Sequence, residues 1–253
     1  MIKTRVIPCL LLKGKGCVKT EKFSNPRYLG DPINIVRIFN EKEAHEIAIL
    51  DITATSESKG PNFDYLKNIA SEAFMPMSYG GGIRNIEDCR KILKIGFEKV
   101  ILNYAAVANP QLVKEASDEF GSQSVIVSID AKKSISGRYE VMIINGKIGI
   151  KKDPSTHARN MESLGAGELI VTSIDKEGTM SGYDIELIRK VTEVVDIPVL
   201  ANGGAGNLKH FELAVKEGGA SGVIASSFFV FHGKNRGILI NFPEENELKK
   251  YLV

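Results

Sequence analysis

No charge of either sign dominates this chain. Its 33 lysines and arginines stand against 31 aspartates and glutamates in 253 residues, which leaves a formal net charge of +2. Proteins that bind nucleic acid or an anionic membrane through their overall field carry a large basic excess, so neither partner is expected. Any anion site must be local and must depend on a few well-placed groups.

Cysteine and histidine are also scarce. The three cysteines, Cys9, Cys17 and Cys89, are odd in number and form no CxxC pair, which indicates neither a disulfide framework nor a zinc site. The four histidines lie far apart without metal-ligand spacing. No metal and no cofactor is expected, and a reducing, cytoplasmic compartment fits best.

Long hydrophobic runs are missing. The apolar run over residues 6–12 contains Pro8 and leads into Gly-Lys-Gly rather than into the small-residue cleavage site of a signal peptide. No run approaches the roughly 20 residues that a membrane-spanning helix needs. The sequence therefore gives no reason to expect a membrane partner.

The chain does contain a regular alternation of short runs rich in valine and isoleucine with helix-period segments, which is typical of βα units around a parallel sheet. Eight strands are predicted, near residues 5–11, 46–52, 75–79, 99–103, 124–130, 168–173, 198–202 and 222–226. Asp31-Pro32 and Asn109-Pro110 each place an N-cap residue before a proline at the first helical position, which predicts helix starts at both pairs.

The two halves of the chain resemble each other. One correspondence joins MPMSYGGGIRN, from Met75, to IPVLANGGAGN, 122 residues later. Two more pair HEIAILDIT with GELIVTSID, which aligns Glu46 with Glu168, and GFEKVILN with GASGVIAS. Eight βα units in two similar halves predict a single-domain (β/α)8 TIM barrel over residues 1–253, with half-barrels at about 1–120 and 121–253. A doubly wound open sheet needs no such duplication.

One insertion interrupts the pattern. Residues 137–152 alternate apolar and polar side chains around Asn145-Gly146, and Asn-Gly is the strongest short-range hairpin signal. We therefore predict a β-hairpin in the loop after the fifth strand.

Two glycine clusters follow equivalent strands of the two halves. They are GGG from Gly80, after the third strand, and GGAG from Gly203, after the seventh. Backbone N–H groups with no side chain in front of them, at the start of a helix, bind anions, and two such sites indicate a ligand with two phosphates. A tight βα turn explains a single cluster equally well, but the duplication favours phosphate binding.

Three aspartates, Asp51, Asp130 and Asp175, lie at or near strand ends, which form the reaction face of such barrels. A carboxylate there transfers protons or binds hydroxyls, although capping a helix or pairing with a lysine explains Asp51 and Asp175 equally well. Asp130 is the stronger candidate because its run, VIVSIDAKK, matches the first strand, VIPCLLLKGK. Leu11 stands in the first strand where the later run has the acid.

Four charged residues begin the first, second, fourth and sixth strands: Arg5, Glu46, Lys99 and Glu168. Alternate residues share a strand face, so Arg5 lies on the side of Leu11, whereas the odd spacing from Glu46 to Asp51 requires a bulge. If all four point inward, they form a ring across the closed end of the barrel. A structural salt-bridge plug is the plain alternative.

The whole chain carries segments of one family pattern in order: LDITA, GGGIR, FGSQ, IDAK, GAGE, TSID, GTMSGYD and GGAGN. On these segments it resembles the cyclase subunit of imidazole glycerol phosphate synthase, the HisF family. Among divergent members it resembles the branch associated with acetamidino-sugar modification. The resemblance implies a (β/α)8 barrel in a heterodimer with a separate, HisH-like glutaminase docked over the strand starts. Ammonia from that partner travels through the barrel to a bis-phosphorylated ribulosyl intermediate, which the family cyclises and cleaves to imidazole glycerol phosphate and an aminoimidazole carboxamide ribotide.

The resemblance also implies residue roles. Arg5, Glu46, Lys99 and Glu168 occupy the four positions of the family's ammonia gate. Of its two proton-transferring aspartates, Asp130 matches the second, and Leu11 stands at the first. The positions implied to bind phosphate or substrate are Lys19, Asp51, Gly82, Asn103, Ser173, Gly178, Gly204 and Ser226.

Three further departures lie near the reacting end: Tyr104 replaces a small hydroxyl residue, Asn202 a serine and Glu177 an aspartate. The gate positions are intact. Relatives that it resembles in this division are associated with surface polysaccharides, which implies a subunit that passes ammonia to a sugar amidotransferase for acetamidino formation on such a sugar. The ligand implied is a phosphorylated small molecule.

The alternative is a working cyclase-lyase of histidine biosynthesis, in which Asp130 and a water or Asp51 transfer the protons, so cyclase activity stays open at this point. A purely structural interaction module is disfavoured, because buried carboxylates and a charged ring are costly without a use.

Overall fold

The computed structural model describes residues 4–252 of the chain. Its elements follow each other in the order β1 (Arg5–Lys13), β2 (Gly16–Glu21), β3 (Ser24–Gly30), α1 (Pro32–Glu41), β4 (Ile47–Asp51), α2 (Phe63–Ala70), β5 (Met77–Gly80), α3 (Ile86–Ile95), β6 (Lys99–Leu102), α4 (Tyr104–Ala108), α5 (Gln111–Phe120), a 3₁₀ turn (Ser122–Ser124), β7 (Val125–Lys133), β8 (Tyr139–Ile143), β9 (Ile148–Gly149), α6 (Pro154–Ser163), β10 (Glu168–Ser173), α7 (Ile185–Thr192), β11 (Val199–Asn202), α8 (Leu208–Lys216), β12 (Gly222–Ala225), α9 (Ser227–Val230), β13 (Phe231–His232), β14 (Gly237–Ile238) and α10 (Glu245–Leu252). None of these helices is long and apolar enough to cross a membrane.

Eight parallel strands close into a barrel, in the order β1, β4, β5, β6, β7, β10, β11 and β12. Each is hydrogen-bonded to the next, and the last pairs with the first, where Arg5 lies opposite Gly222. The predicted (β/α)8 barrel is confirmed. β1 and β7 extend past the other strands because their ends pair with the antiparallel strands β2 and β8.

The helix starts were predicted with mixed success. Asp31 caps α1, since its carboxylate accepts hydrogen bonds from the backbone N–H groups of Ile33, at 2.7 Å, and Asn34. The helix start at Asn109-Pro110 is confirmed to within one residue: α5 begins at Gln111 and Pro110 already has helical dihedral angles, but no side chain caps this helix. Proline fits that position because its fixed φ suits a helical turn.

Alternation along the strands separates two apolar layers. Val6 and Leu10 of β1 pack outward against the helices, while Ile7, Cys9 and Leu11 pack inside the barrel. The inner layer takes mostly one or two residues from each strand, with Ala48, Ile101, Ile126, Ile170, Leu200 and Ile224 among them. Arg5 therefore lies on the same strand face as Leu11, at the opposite end of the barrel.

The bulge expected between Glu46 and Asp51 does not exist. β4 pairs without irregularity with both β1 and β5, so Ala48 and Leu50 continue the inward face that Glu46 begins. Asp51 has the opposite parity. Its carboxylate reaches the rim through a local turn, not through a change in strand register.

The predicted hairpin is present after β7. β8 and β9 pair antiparallel around a turn in which Ile144, Asn145 and Gly146 have positive φ angles of 52°, 55° and 71°. Such angles favour asparagine and glycine. The Asn145 amide donates to the carbonyl oxygen of Ile52 at 2.7 Å, which holds the hairpin tip against the rim of the barrel.

β2 and β3 form an antiparallel flap, residues 16–30, that folds back from β1 over the C-terminal ends of the strands. Its outer part is attached to the segment around β13 and β14. Arg236 pairs with Glu21 at 2.9 Å, and the Arg27 guanidinium lies 5.1 Å from the centre of the Phe231 ring. Both contacts hold the flap across the mouth of the barrel.

Candidate functional site

A cavity occupies the C-terminal end of the barrel, beneath the flap and the hairpin tip. Every barrel strand contributes to its wall at or just after its last residues, through Leu11, Leu50, Gly80, Asn103, Asp130, Thr172, Asn202 and Ala225. This is the end at which barrels of this type carry out their chemistry.

The four charged residues predicted to face inward do meet, at the opposite end. The Arg5 guanidinium contacts Glu46 at 3.1 Å and also pairs with Glu168. The Lys99 ammonium lies 3.2 Å from Glu168 and 3.6 Å from Glu46. Positive and negative groups alternate, so we call these four side chains the charged ring.

The ion pairs within the charged ring offset the cost of burying its carboxylates. Glu46 and Glu168 are buried, and an unpaired buried carboxylate is costly, but each touches both cations. Burial lowers the pKa of Lys99, while the neighbouring Glu46 carboxylate acts in the opposite direction. The ring is neutral overall and spans the barrel between four strands.

A mostly apolar interior separates the ring from the cavity. Within it, the buried Ser78 hydroxyl has no hydrogen-bond partner among residues 4–252. Sequence analysis missed Ser78. The spacing could have identified it, because a residue two positions before Gly80 on the same strand shares the inward face of the barrel.

Asp130 lies in the cavity wall among hydrogen-bond donors. The Asn103 amide donates to its carboxylate at 3.2 Å, and the Ser128 hydroxyl at 3.4 Å. Burial raises the pKa of Asp130 to about 6, and hydrogen bonds from Thr172, Ser128 and Asn103 limit the rise. A carboxyl group with this pKa exchanges its proton close to neutral pH, which suits a general acid or base.

Leu11 faces the same cavity without such partners. It is 9% exposed and packs with the apolar side chains Ile7, Cys9 and Ile101 inside the barrel. Its register neighbour on β4 is Leu50. The position that the family resemblance assigns to an acid is therefore apolar in its side chain and in its surroundings.

Asp51 also lines the cavity, yet one of its oxygens stabilises the local turn. Oδ1 accepts from the Thr53 N–H at 2.8 Å, the Thr53 hydroxyl at 2.9 Å and the Ala54 N–H at 3.0 Å. Oδ2 accepts no hydrogen bond from the described part of the chain. Asp51 thus stabilises a turn rather than capping a helix, and its second oxygen is left without a described hydrogen bond.

Lys19 projects from the flap into the cavity and pairs with Glu177. Both side chains are buried. Glu177 also accepts from the Thr20 hydroxyl at 3.2 Å and the Phe23 N–H at 3.3 Å. Burial lowers the pKa of Lys19 to about 8. This pair joins the flap to the loop that follows β10.

The two glycine clusters lie on the cavity wall, each beside two residues from the following βα unit. We call Gly81, Gly82, Asn103 and Tyr104 the first cradle, and Gly203, Gly204, Ser226 and Ser227 the second cradle. The backbone at Gly81 and Gly204 has φ angles of +124° and +116°, and an added Cβ at Gly204 would overlap the Gly182 carbonyl oxygen. Glycine is thus required for close approach in both cradles.

Two predicted residues lie elsewhere. Ser173 does not line the cavity, because it has the opposite parity to Thr172 on β10, and its hydroxyl donates to Asp184 at 3.3 Å. Asp175 accepts a hydrogen bond from the Lys133 N–H, at the end of β7, at 2.9 Å and outside the cavity, so it caps a strand end rather than a helix. Thr172 and Ser128, which do line the cavity, were missed, although strand parity identifies both. Gly178 lies on the cavity wall, against the flap.

No group of three or more His, Cys, Asp or Glu side chains within residues 4–252 is arranged to hold a metal ion. The cavity instead offers the carboxyl group of Asp130 with its raised pKa, a buried ion pair and backbone N–H groups. Such a set suits binding of a polar, anionic organic molecule.

The model of the family described as "Histidine biosynthesis protein" matches residues 5–235. A Leptospira borgpetersenii protein, provisionally named imidazole glycerol phosphate synthase subunit HisF, is 46% identical over 244 residues, covering 96% of each chain. The chain belongs to the HisF family.

Other HisF relatives match over nearly their full length. The Pseudomonas aeruginosa protein provisionally named subunit hisF2 is 45% identical over 98% of this chain and 99% of its own. The Vibrio vulnificus protein provisionally named subunit hisF3 is 41% identical over all of this chain and 97% of its own. The HisF resemblance and the TIM barrel fold inferred from sequence are confirmed.

Asp130 generates a pH-dependent prediction. The folded state binds its proton up to about pH 6, whereas the ordinary pKa is 3.8, so the folded state holds more protons between these values. The free energy of unfolding must fall as pH rises through this window. Asp130→Asn removes this contribution, and its stability relative to the unmodified protein should rise by up to about 3 kcal/mol between pH 4 and 7. Urea denaturation at several pH values measures it, and parallel pH curves would contradict the assigned pKa.

Proposed function

We propose that this HisF-family chain receives ammonia from a glutaminase subunit at the charged ring and passes it through the barrel. The ammonia serves acetamidino formation on a surface-polysaccharide sugar, carried out by a separate sugar amidotransferase. The proposal rests above all on Leu11: an apolar residue in apolar surroundings stands where the resemblance implies a proton-transferring acid, while the ring at the other end is complete.

The interior favours a small neutral molecule over an ion. Burying an unpaired ammonium ion costs several kcal/mol, and the inner layer between ring and cavity is mostly aliphatic. Neutral ammonia loses far less on entry and can hydrogen-bond to the Ser78 hydroxyl on the way. The ring offers charged partners at the entrance, where an exchange of contacts can admit it.

The cavity is poorly equipped for the family's cyclase reaction. Losing a positioned acid or base typically costs ~10²- to 10⁴-fold in rate, and Leu11 can neither donate nor accept a proton. Lys19, which matches the family's mobile-loop lysine, is committed to Glu177. Tyr104 and Glu177 differ from the residues implied by the family pattern.

A second candidate function, the cyclase-lyase of histidine biosynthesis, is favoured by one arrangement. Asp51 keeps an oxygen open to the cavity that also contains Asp130, and Asp130 titrates near neutral pH. Together they could carry both proton transfers. The charged ring and the glutaminase partner are common to the two functions, so only turnover separates them.

The glutaminase is proposed to dock over the strand starts. Phe74 lies there, in the loop between α2 and β5, and is 91% exposed. Its backbone N–H donates to the Asn40 side chain at 3.1 Å, which fixes the loop. The phenyl group of Phe74 itself projects into solvent. Preordered aromatic side chains are frequent anchors of protein interfaces.

Turnover tests the favoured function against the second one. With ammonium salt and the bis-phosphorylated ribulosyl substrate, the protein should turn over at least ~10²-fold more slowly than an ordinary HisF cyclase. It should also fail to support growth of a histidine auxotroph that lacks its own cyclase. Leu11→Asp should gain some activity without reaching the ordinary level.

Leu11→Asn is the matched control, since asparagine has the shape of aspartate but cannot transfer the proton. It should gain nothing. Ordinary turnover by the unmodified chain would reject ammonia delivery as its main role and establish the cyclase-lyase.

The docking face has its own test. Phe74→Asp should weaken binding of a HisH-like glutaminase from the same organism roughly tenfold or more, because it removes an aromatic anchor and introduces a charge. Ile135→Asp is the control: Ile135 is also a fully exposed apolar residue but lies in the turn after β7, at the other end of the barrel. Calorimetric titration measures both, and equal affinities for the two variants would place the partner elsewhere.

A further inference from the structure

The internal repeat makes the two cradles directly comparable. Gly82 corresponds to Gly204, Asn103 to Ser226 and Tyr104 to Ser227. If both cradles bound phosphate, equivalent positions should offer equivalent donors. The side-chain donors do not match, and that difference favours the second cradle.

The second cradle has donors without acceptors. The hydroxyls of Ser226 and Ser227 are buried and have no hydrogen-bond partner within residues 4–252. Ser227 is only 4% exposed, and both residues line the cavity. The backbone N–H groups of Gly204 and Ser227 also donate to no described residue. Unsatisfied buried donors are destabilising, and a phosphate oxygen would satisfy several at once.

In the first cradle the Gly82 N–H and the Asn103 amide are already engaged. The Tyr104 N–H, like that of Ser227, donates to no described residue. The Gly82 N–H donates to the Thr55 hydroxyl at 3.1 Å. The Asn103 amide donates to the Ser128 carbonyl oxygen at 2.9 Å and to Asp130 at 3.2 Å. The place of Ser227 is taken by Tyr104, whose bulky side chain is 40% exposed. Phosphate would have to displace these internal contacts.

The charged side chains near the two cradles also favour phosphate binding in the second. Asp51 lies directly against Gly81, with its Cβ 2.8 Å from the position of an added Cβ, so an anion in the first cradle would meet a carboxylate. The equivalent of Asp51 in the other half is the neutral Ser173. Beside the second cradle, Glu177 is paired with Lys19.

From these contacts we infer that the cavity binds a phosphomonoester with a single phosphate, held in the second cradle, and that the first cradle binds no phosphate. The inference deepens the proposed function and rests on it for the role of the cavity as the exit of the barrel. A ligand of this class differs from the bis-phosphorylated substrate implied by the family resemblance.

The test is calorimetric titration of the full chain, without glutaminase, using inorganic phosphate, glycerol 3-phosphate and fructose 1,6-bisphosphate as probes. One phosphate should bind per chain. Ser227→Ala and Ser226→Ala should each weaken binding of glycerol 3-phosphate roughly tenfold, the expected loss of a hydrogen bond to a charged group. Thr55→Val, which removes the hydroxyl that engages Gly82 of the first cradle, should leave the affinity unchanged.

The bisphosphate should gain no more than about twofold over glycerol 3-phosphate, the statistical advantage of two equivalent ends. Two phosphates per chain, a gain of tenfold or more for the bisphosphate, unchanged affinity in both serine variants or no saturable phosphate binding would each overturn the inference. Because glutaminase is absent, failure here leaves ammonia transfer untouched, and loss of ammonia transfer would leave phosphate binding untouched.

Discussion

The strict alternation of side chains along the strands of a closed barrel is the constraint on which both ends of this molecule depend. In β1 it places Arg5, Ile7, Cys9 and Leu11 on one inward line, from the charged ring through the apolar interior to the cavity. A slip of one residue would turn this whole line outward. The regular pairing of β1 with β4 and β12 prevents it.

The two ends of the barrel accommodate charge in different ways. At the strand starts, two acids and two bases neutralise each other, so four charged groups lie across the barrel at limited cost. At the strand ends, Asp130 titrates near neutral pH because burial outweighs its hydrogen bonds, and Leu11 contributes no charge. The flap carries a positive group to the cavity, but Glu177 neutralises it. These contrasts fit a barrel that moves a neutral molecule towards the cavity at the C-terminal ends of its strands.

Much of this arrangement could be predicted from sequence because it depends on short-range periodicity. The eight strands and the hairpin at Asn145 follow from patterns within a few residues, whereas the inward direction of all four ring residues was only a condition of the ring. Ser173 was misplaced where parity was not applied, and Thr172 holds the cavity position instead. The bulge at Glu46 was inferred from an assumed role of Asp51, which a local turn explains.

The pairing of Lys19 with Glu177 could not be predicted, because the two residues are 158 positions apart and meet only when the flap folds back. The engaged donors of Gly82 and the free ones of Ser227 are equally invisible in sequence, since both depend on which loop reaches which cluster. Long-range contacts of this kind decide how two similar half-barrels come to differ.

Isotope competition tests ammonia transfer most directly. The chain would be combined with its glutaminase and the sugar amidotransferase, supplied with glutamine labelled with ¹⁵N at the amide and with an excess of unlabelled ammonium in solution. If ammonia passes within the barrel, mass spectrometry should find the label in most of the acetamidino product despite the excess. A label diluted to the ratio in bulk solution would contradict internal transfer.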